Sequence, residues 1–168
     1  MAYNEIIDNF LPKIFYEKLN EILTGNNFSW YFQNRTTAYE LNSNYMFTHS
    51  LVLNEKPLSD WFHIFEPITY FINEKYKIDK LLRMKLNLYT NQNKKIKHTS
   101  HHDYSNNLND NIKIGLLNFT TCNGGTTIDG KLYNSNANEI IIFDNKLKHN
   151  GITQTDTPTR IILNICWK

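Results

Sequence analysis

The second half of the chain is a series of short strand-forming segments separated by turns. Turns such as Asn123-Gly124-Gly125 and Asp129-Gly130 divide segments that are either apolar or alternate polar and apolar residues. The predicted strands are Leu82–Tyr89, Ile96–Asp103, Ile112–Phe119, Thr126–Ile128, Glu139–Phe143, Lys148–Ile152 and Thr159–Trp167. Short strands at this spacing predict a double-sheet jelly roll.

The first half predicts two helices and two outer strands. Residues 12–24 begin at a proline, carry apolar residues at helical spacing and stop before a glycine, as an amphipathic helix does. Residues 59–76 show the same spacing, and Pro67 is expected to kink or split that helix. Phe28–Phe32 and Met46–Leu53 are rich in strand formers. We therefore expect a mainly β fold, a jelly roll supported by two N-terminal helices that lie across the back of a sheet.

Length and composition set modest bounds on function. With 168 residues, 40% of them hydrophobic, we expect one domain, in which residues 1–80 support a core formed by residues 81–168. A net charge of +2 provides no strong signal for nucleic-acid binding. The polar N-terminus and the absence of a long apolar stretch predict a cytoplasmic protein without a membrane segment. Cys122 and Cys166 are accordingly expected to be free thiols.

Three residues have the chemistry and spacing of a metal site. His101 and Asp103 are two apart on a predicted strand, so their side chains point the same way while His102 faces outward. His149, on a distant strand, supplies a third ligand. Two imidazoles and one carboxylate leave coordination positions open, as in the non-haem Fe(II) oxygenases.

The histidines also have other interpretations. His101 and Asp103 can be an ordinary structural pair. A zinc-type helical pair, His98 and His102, is disfavoured because the segment lacks helical periodicity and the glutamate of the zinc hydrolase motif is missing. His49, His63 and His98 are expected to be half-buried surface residues, which is the usual place of a histidine on a strand.

Arg160 opens the last predicted strand, and both faces of that strand are largely apolar. A guanidinium on a buried strand is costly unless it is paired, and its planar fork matches a carboxylate. We therefore predict that Arg160 binds the far carboxylate of a 2-oxo acid. The alternative is a structural salt bridge.

The motifs resemble those of the Fe(II)/2-oxoglutarate-dependent oxygenases, in particular the prolyl 4-hydroxylase-like branch and its small stand-alone members in phage and environmental genomes. The matching features are Asp8-Asn-Phe-Leu-Pro12, Leu86-Asn-Leu-Tyr89, His101-His-Asp103, Asn123-Gly-Gly-Thr126, Phe143-Asp144, His149 and Arg160. The resemblance implies a double-stranded β-helix, the cupin-like version of the jelly roll. It also implies that His101, Asp103 and His149 bind iron and that Arg160, eleven positions after His149, binds 2-oxoglutarate. A viral source would place the protein in the host cytoplasm.

Two departures from the family pattern bear on the substrate. Prolyl hydroxylases often have lysine where Arg160 stands, and the second arginine typical of the nucleic-acid demethylase branch is absent. The expected cofactors are Fe(II), the co-substrate 2-oxoglutarate and O2. Tyr89 and Asn87 share the inward face of the strand that leads to the site, where they can hydrogen-bond 2-oxoglutarate. A cross-strand tyrosine and an edge amide are the structural alternatives, and Asn164, on the face of Arg160, is a weaker candidate.

The loops Thr90–Thr99 and Tyr104–Asn111 are polar and rich in asparagine, and we expect them to hold the substrate at the mouth of the barrel. Such loops suit an extended peptide or a small polar molecule better than a duplex. The predicted reaction is hydroxylation of a C–H bond in a peptidyl residue, with proline as the leading case. A free amino acid or other metabolite, a nucleobase, and a non-catalytic metal-binding jelly roll are the alternatives.

Overall fold

The computed structural model describes residues 4–37, 44–108 and 110–168. Within these ranges, eleven strands and three α-helices have the following bounds. The strands are β1 (Asn4–Ile7), β2 (Tyr31–Gln33), β3 (Met46–Leu53), β4 (Lys56–Pro57), β5 (Leu81–Thr90), β6 (Lys113–Asn118), β7 (Cys122–Ile128), β8 (Lys131–Ser135), β9 (Ile140–Asp144), β10 (His149–Ile152) and β11 (Thr159–Trp167). The helices are α1 (Lys13–Thr24), α2 (Phe62–Phe65) and α3 (Pro67–Asn73).

The strands form two antiparallel sheets. The larger sheet has the order β1-β9-β6-β11-β5-β3-β2, with β4 paired to β3, and the smaller has the order β10-β7-β8. This architecture confirms the predicted jelly roll. The predicted outer strand Met46–Leu53 instead lies inside the larger sheet, between β2 and β5.

The helices cover the outer face of the larger sheet. The predicted second helix is split at Pro67, which begins α3 because proline tolerates the first helical turn and disrupts an interior one. Buried residues of α1, α2 and α3 pack in one cluster with those of the sheet, among them Leu19, Leu23, Phe65, Ile68, Leu86, Leu163 and Ile165. No helix in the described ranges is long and apolar enough to cross a membrane.

The inner face of the larger sheet packs against the smaller sheet. A second cluster fills this space and includes Tyr89, Ile114, Ile128, Tyr133, Phe143, Ile162 and Cys166. Successive residues of β11 therefore alternate between the two clusters, as the period of a strand requires. Cys122 and Cys166 are buried and free, as predicted.

The segment Ile96–Asp103 differs from its prediction as a continuous strand. It contacts β10 only through isolated bridges, Lys97 with Ile152 and His101 with His149. The amide of His98 donates to the Gly151 carbonyl, and the amide of His101 donates to the His149 carbonyl. The chain therefore advances three residues in this segment where β10 advances two. One residue is therefore extra, and the ladder is interrupted there.

Strand β8, which the sequence pattern did not predict, forms a hairpin with β7. The two-residue turn Asp129-Gly130 connects them, and both residues have positive φ, 48° and 81°. This is the conformation that favours Asp-Gly in hairpin turns. The predicted strand Thr126–Ile128 is accordingly longer, since β7 begins at Cys122.

Candidate active site

The pairing of two chain segments brings His101 and His149 together. Their backbones exchange two hydrogen bonds of 3.0 Å, which makes them direct cross-strand partners. Directly opposed residues point to the same face, and the two imidazole centroids are 4.5 Å apart. Two histidines that are far apart in the sequence therefore meet at one place, as a metal site requires.

Asp103 completes the cluster. One carboxylate oxygen, Oδ1, lies 3.8 Å from Nε2 of His101, and Oδ2 lies 3.8 Å from Nε2 of His149. One ligand atom from each of the three residues lies within 4.8 Å of the others. Nδ1 of His101 is 3.1 Å from the Thr99 carbonyl oxygen. If Nδ1 donates its proton there, Nε2 keeps a free lone pair, which is the usual outer-shell arrangement of a metal-binding histidine.

The protonation states also suit a metal. Burial lowers the pKa of His149 to about 4, with Asp103 acting in the opposite direction and His101 and Arg83 adding to the shift. Burial alone would raise the pKa of Asp103, but the Arg83 guanidinium and His149 outweigh it and hold that pKa well below its usual range. A neutral imidazole and an ionised carboxylate are therefore ready at neutral pH, and these are the forms that bind metals.

Two side chains that the sequence pattern did not assign to this role hold Asp103. Arg83 Nη2 lies 2.7 Å from Oδ1, and Asn164 donates from Nδ2 to Oδ2 at 3.0 Å. Arg83 Nη2 also donates to Asn164 Oδ1 at 3.0 Å. The Cys166 thiol lies 3.7 Å from Oδ2. A chain of polar contacts across β5 and β11 thus orients the carboxylate.

The strand period contains a signal for Arg83. The alternation that places Tyr89 and Asn87 on the inward face of β5 also puts Lys85 and Arg83 on that face. A strand face that lies between two sheets is normally apolar, and packing alone does not explain polar residues there. That polarity indicates a site.

Arg160 lies inside the protein and is 1% exposed. It donates from Nη2 to Thr126 Oγ1 at 3.0 Å and from Nη1 to the Ile152 carbonyl at 3.4 Å, while Nε has no partner in the part of the chain that the structure describes. Its guanidinium carbon is 5.9 Å from the centroid of the Tyr89 ring. Burial lowers the pKa of Arg160, although a guanidinium stays charged in proteins. No salt bridge joins Arg160 to a carboxylate of residues 4–37, 44–108 or 110–168, so the structural alternative has no support there.

The Asn123-Gly-Gly-Thr126 motif makes room for this arginine. A Cβ atom on Gly124 would lie 2.8 Å from the Ile152 carbonyl oxygen and 3.2 Å from Cδ of Arg160. Glycine is needed here because β7, β10 and the arginine side chain approach one another closely. Thr126 follows two positions later and accepts the guanidinium hydrogen bond.

One cavity between the sheets contains most of the predicted residues. It is lined by Thr36, Thr37, Met46, Lys85, Asn87, Tyr89, His98, His101, Asp103, Leu116, Thr126, His149, Gly151, Ile162 and Asn164. Asn87 and Tyr89 therefore lie on the predicted inward face of β5, and Oδ1 of Asn87 is buried with no hydrogen-bond partner among the described residues. Arg160 contacts the cavity through its bond to Thr126.

His49 is not the half-buried surface residue that was predicted, since it is 4% exposed on β3 and its ring nitrogens lie 2.7 Å from the Ser29 carbonyl oxygen and from Ser59 Oγ. Two further histidines, His98 and His102, also differ from their predictions. His98 is not at the surface, since it is buried and its ring lies 5.2 Å from that of Tyr89. His102 is not simply outward, since it is half-buried and lines the cavity mouth with Arg83 and Lys85. Both follow from the extra residue in the 96–103 segment, which breaks strict alternation.

The predicted substrate loops contribute little to this cavity. Of the described residues in Thr90–Thr99 only His98 lines it, and of those in Tyr104–Asn111 only Ser105 reaches the mouth. Thr36 and Thr37 line it instead. They follow β2, which joins the larger sheet beside β3, so the first half of the chain forms one wall of the mouth.

The sequence matches no family model and no curated protein. Solved structures do match. An oxidoreductase of the 2OG-Fe(II) oxygenase family from Burkholderia pseudomallei is 10% identical, with a TM-score of 0.70 over 98% of this chain and 84% of that one. A Pseudomonas putida prolyl-4-hydroxylase is 12% identical, with a TM-score of 0.62 over 99% of this chain and 92% of that one. A prolyl hydroxylase in complex with a hypoxia inducible factor oxygen degradation domain peptide fragment from Trichoplax adhaerens is 13% identical, with a TM-score of 0.63 over 98% and 82%. This chain therefore has the fold of the 2OG-Fe(II) oxygenases to which it is similar, the double-stranded β-helix.

Proposed function

We propose that this protein is an Fe(II)/2-oxoglutarate-dependent dioxygenase that couples oxidative decarboxylation of 2-oxoglutarate to hydroxylation of a substrate C–H bond. One observation carries the proposal. His101, Asp103 and His149 converge on a cavity lined by Thr126, and the Thr126 hydroxyl accepts a hydrogen bond from Arg160, a buried arginine without a carboxylate partner among the described residues. A two-histidine, one-carboxylate set beside an unpaired guanidinium matches an iron and a dianionic co-substrate in one site.

In this proposal, Nε2 of His101, Nε2 of His149 and the carboxylate of Asp103 hold Fe(II). The metal supplies O2 activation, in which one oxygen atom enters succinate, the other enters the product, and CO2 is released. Arg83 and Asn164 hold the Asp103 carboxylate in place through the contacts described above. Such outer-shell partners tune both the affinity and the orientation of a metal.

Arg160 receives the distal carboxylate of the 2-oxoglutarate molecule. Arg160 Nε has no hydrogen-bond partner among the described residues, and Thr126 accepts a hydrogen bond from one edge of the guanidinium. A bidentate carboxylate supplies the acceptors that a buried guanidinium lacks. Tyr89 and Asn87 line the cavity on the same face of the sheet, where the phenol and the amide hydrogen-bond the co-substrate.

We further propose a peptidyl substrate, with proline as the leading case. The support is the fold shared with prolyl hydroxylases, one of which was solved with a peptide fragment bound. A fold alone does not determine a substrate, so a free amino acid or other small metabolite is the second candidate and a nucleobase the third. A non-catalytic metal-binding jelly roll is the candidate from another class. A non-catalytic metal binder has no role for a buried arginine at the other end of the same cavity.

Succinate formation tests the proposed reaction. Purified protein with Fe(II) and 2-oxoglutarate is expected to form succinate slowly even without a substrate, and anaerobic addition of both is expected to give a weak visible charge-transfer band. His101→Ala and Asp103→Ala should abolish both signals. His63→Ala is the matched control, because its side chain is 77% exposed and lies on α2. A band without succinate would favour the non-catalytic binder, and a band that persists in both site variants would remove these residues from the metal.

A further inference from the structure

Lys85 is a lysine inside the proposed active site that the proposed chemistry does not use. It lies on the inner face of β5, in the wall of the cavity that contains the metal cluster, and also lines the mouth next to Thr36, Thr37 and Arg83. No hydrogen bond or salt bridge joins its ammonium group to any described residue. A partly buried ammonium without an anion is unfavourable, because burial removes water that no partner replaces.

Lys85 and Arg160 lie at different ends of the cavity. In the register of β5 with β11, Arg160 faces Tyr89, whereas Lys85 faces Asn164, which bonds to Asp103. Four residues of strand separate the two levels, a distance of about 13 Å. A five-carbon diacid that spans from Arg160 to the metal has one carboxylate on the guanidinium and the other on the metal, so neither is left to pair with Lys85. The lysine lies at the metal end, where a substrate enters.

The positive and negative charges around the cavity do not balance. Lys85 lines the cavity, Arg83 lines its mouth, and Arg160 bonds to the lining residue Thr126, so that three positive charges surround the cavity. Asp103 is the one carboxylate among the described residues that line it. Fe(II) adds two positive charges, and 2-oxoglutarate cancels two. Two net positive charges therefore remain in the loaded site, and in a cavity shielded from water such charges attract an anion strongly.

We infer that Lys85 binds a carboxylate of the substrate, so that the oxidised C–H bond belongs to an anionic molecule or to a residue beside an acidic group. The inference rests on the proposed function and narrows its substrate class. The inference requires one substrate carboxylate within reach of Lys85 Nζ, and either a free acid or an acidic peptide can supply that carboxylate. Burial and the neighbouring Arg83 lower the pKa of Lys85 to about 8, so the group still carries its charge at neutral pH.

The test uses fractionated mixtures, because it must not depend on guessing the substrate. A peptide digest and a metabolite extract are each separated at pH 7 into an anionic and a non-anionic fraction. Each fraction is then added to the iron-loaded protein together with saturating 13C-labelled 2-oxoglutarate and 18O2. Labelled succinate reports turnover, and mass spectrometry reports 18O in a product. We expect stimulation by an anionic fraction only, and 18O in a product that carries a carboxylate. The digest and the extract distinguish a peptide from a free acid.

Variants connect this result to the lysine. Lys85→Met should reduce the stimulation at least about tenfold, as expected for the loss of one partner of a buried charge pair, and Lys85→Arg should restore part of it. Lys56→Met, a change of an exposed lysine on β4, is the matched control and should behave as the wild type. Glu40→Gln tests the carboxylate of residues 38–43, which lie outside the described ranges. If Glu40 neutralised Lys85 in the wild type, the anionic fraction would stimulate Glu40→Gln more strongly than the wild type. We expect equal stimulation.

The outcomes separate the inference from the function on which it rests. Stimulation by a non-anionic fraction, stimulation that Lys85→Met leaves intact, or uncoupled succinate that no anionic fraction increases would each overturn the role of Lys85. A higher Michaelis constant for the co-substrate in Lys85→Met, without a change in coupling, would assign the lysine to the co-substrate instead. Absence of succinate under every condition would contradict the proposed function itself. Circular dichroism of Lys85→Met confirms folding, which an apolar side chain of similar length should preserve.

Discussion

Replacement of Arg160 by methionine should have opposite effects on the empty and the loaded protein. In the empty protein Arg160 is 1% exposed, and among the described residues its Nε has no hydrogen-bond partner and its guanidinium contacts no carboxylate. Arg160→Met loses the hydrogen bond to Thr126, worth about 1.5–3 kcal/mol for a charged donor, and the longer bond to the Ile152 carbonyl. It also relieves the burial of an unpaired charge, which costs a comparable amount. The free energy of unfolding of the empty protein should therefore change by no more than about 1 kcal/mol.

The loaded protein should respond differently. A ligand at 100 times its Kd stabilises the native state by about 2.7 kcal/mol, which for a chain of this size raises Tm by roughly 5–10 °C. Arg160→Met should lose most of that shift, because the loss of one partner of a buried charge pair weakens binding by about 2–5 kcal/mol. At about 1.4 kcal/mol per factor of ten, both the dissociation constant and the Michaelis constant for the co-substrate should rise by roughly 30-fold or more.

Thermal unfolding with Mn(II), with and without 2-oxoglutarate, measures both effects without turnover. The wild type should show the ligand shift and the variant should not, whereas both should bind Mn(II) equally. If the empty variant is destabilised by more than about 3 kcal/mol, Arg160 is a paired structural residue, which is the salt-bridge alternative. If the variant keeps the full 2-oxoglutarate shift, the guanidinium does not bind the co-substrate.

Three further predictions concern neighbouring residues. Since burial lowers the pKa of His149 to about 4, below its unfolded value near 6.5, the unfolded chain takes up a proton first as the pH falls. The metal-free protein should therefore lose about 2 kcal/mol of stability between pH 7 and pH 5, and urea unfolding of His149→Gln should show a correspondingly weaker pH dependence. An unchanged pH dependence in this variant would assign the loss of stability to another group. Arg83→Met should weaken iron binding about 10- to 100-fold by freeing the Asp103 carboxylate, and an unchanged metal titration would show that the 2.7 Å contact has no role. Gly124→Ala should raise the Michaelis constant for the co-substrate and destabilise the fold by about 1–3 kcal/mol, since its Cβ would displace Arg160, and kinetics that remain normal would contradict that account.

Much of the site could be predicted because a strand has a strict period. Alternation places Arg160, Asn164 and Cys166 on one face of β11, and the structure has that face toward the smaller sheet. The same rule places Tyr89 and Asn87 inward on β5, where they lie. The metal cluster also depended on residue type, since two imidazoles and a carboxylate are recognisable wherever the fold brings them together.

Local pattern alone predicted the jelly roll, the split of the helix at Pro67 and the faces of β5 and β11, because propensity and period act within a few residues. The tertiary structure decided which side chains meet. The contact of Arg83 with Asp103, the position of Lys85 beside the metal end and the wall formed by Thr36 and Thr37 all depend on strand order and register. These are set by the packing of the whole chain, since residues far apart in sequence become neighbours only when every sheet finds the partner that buries its apolar face.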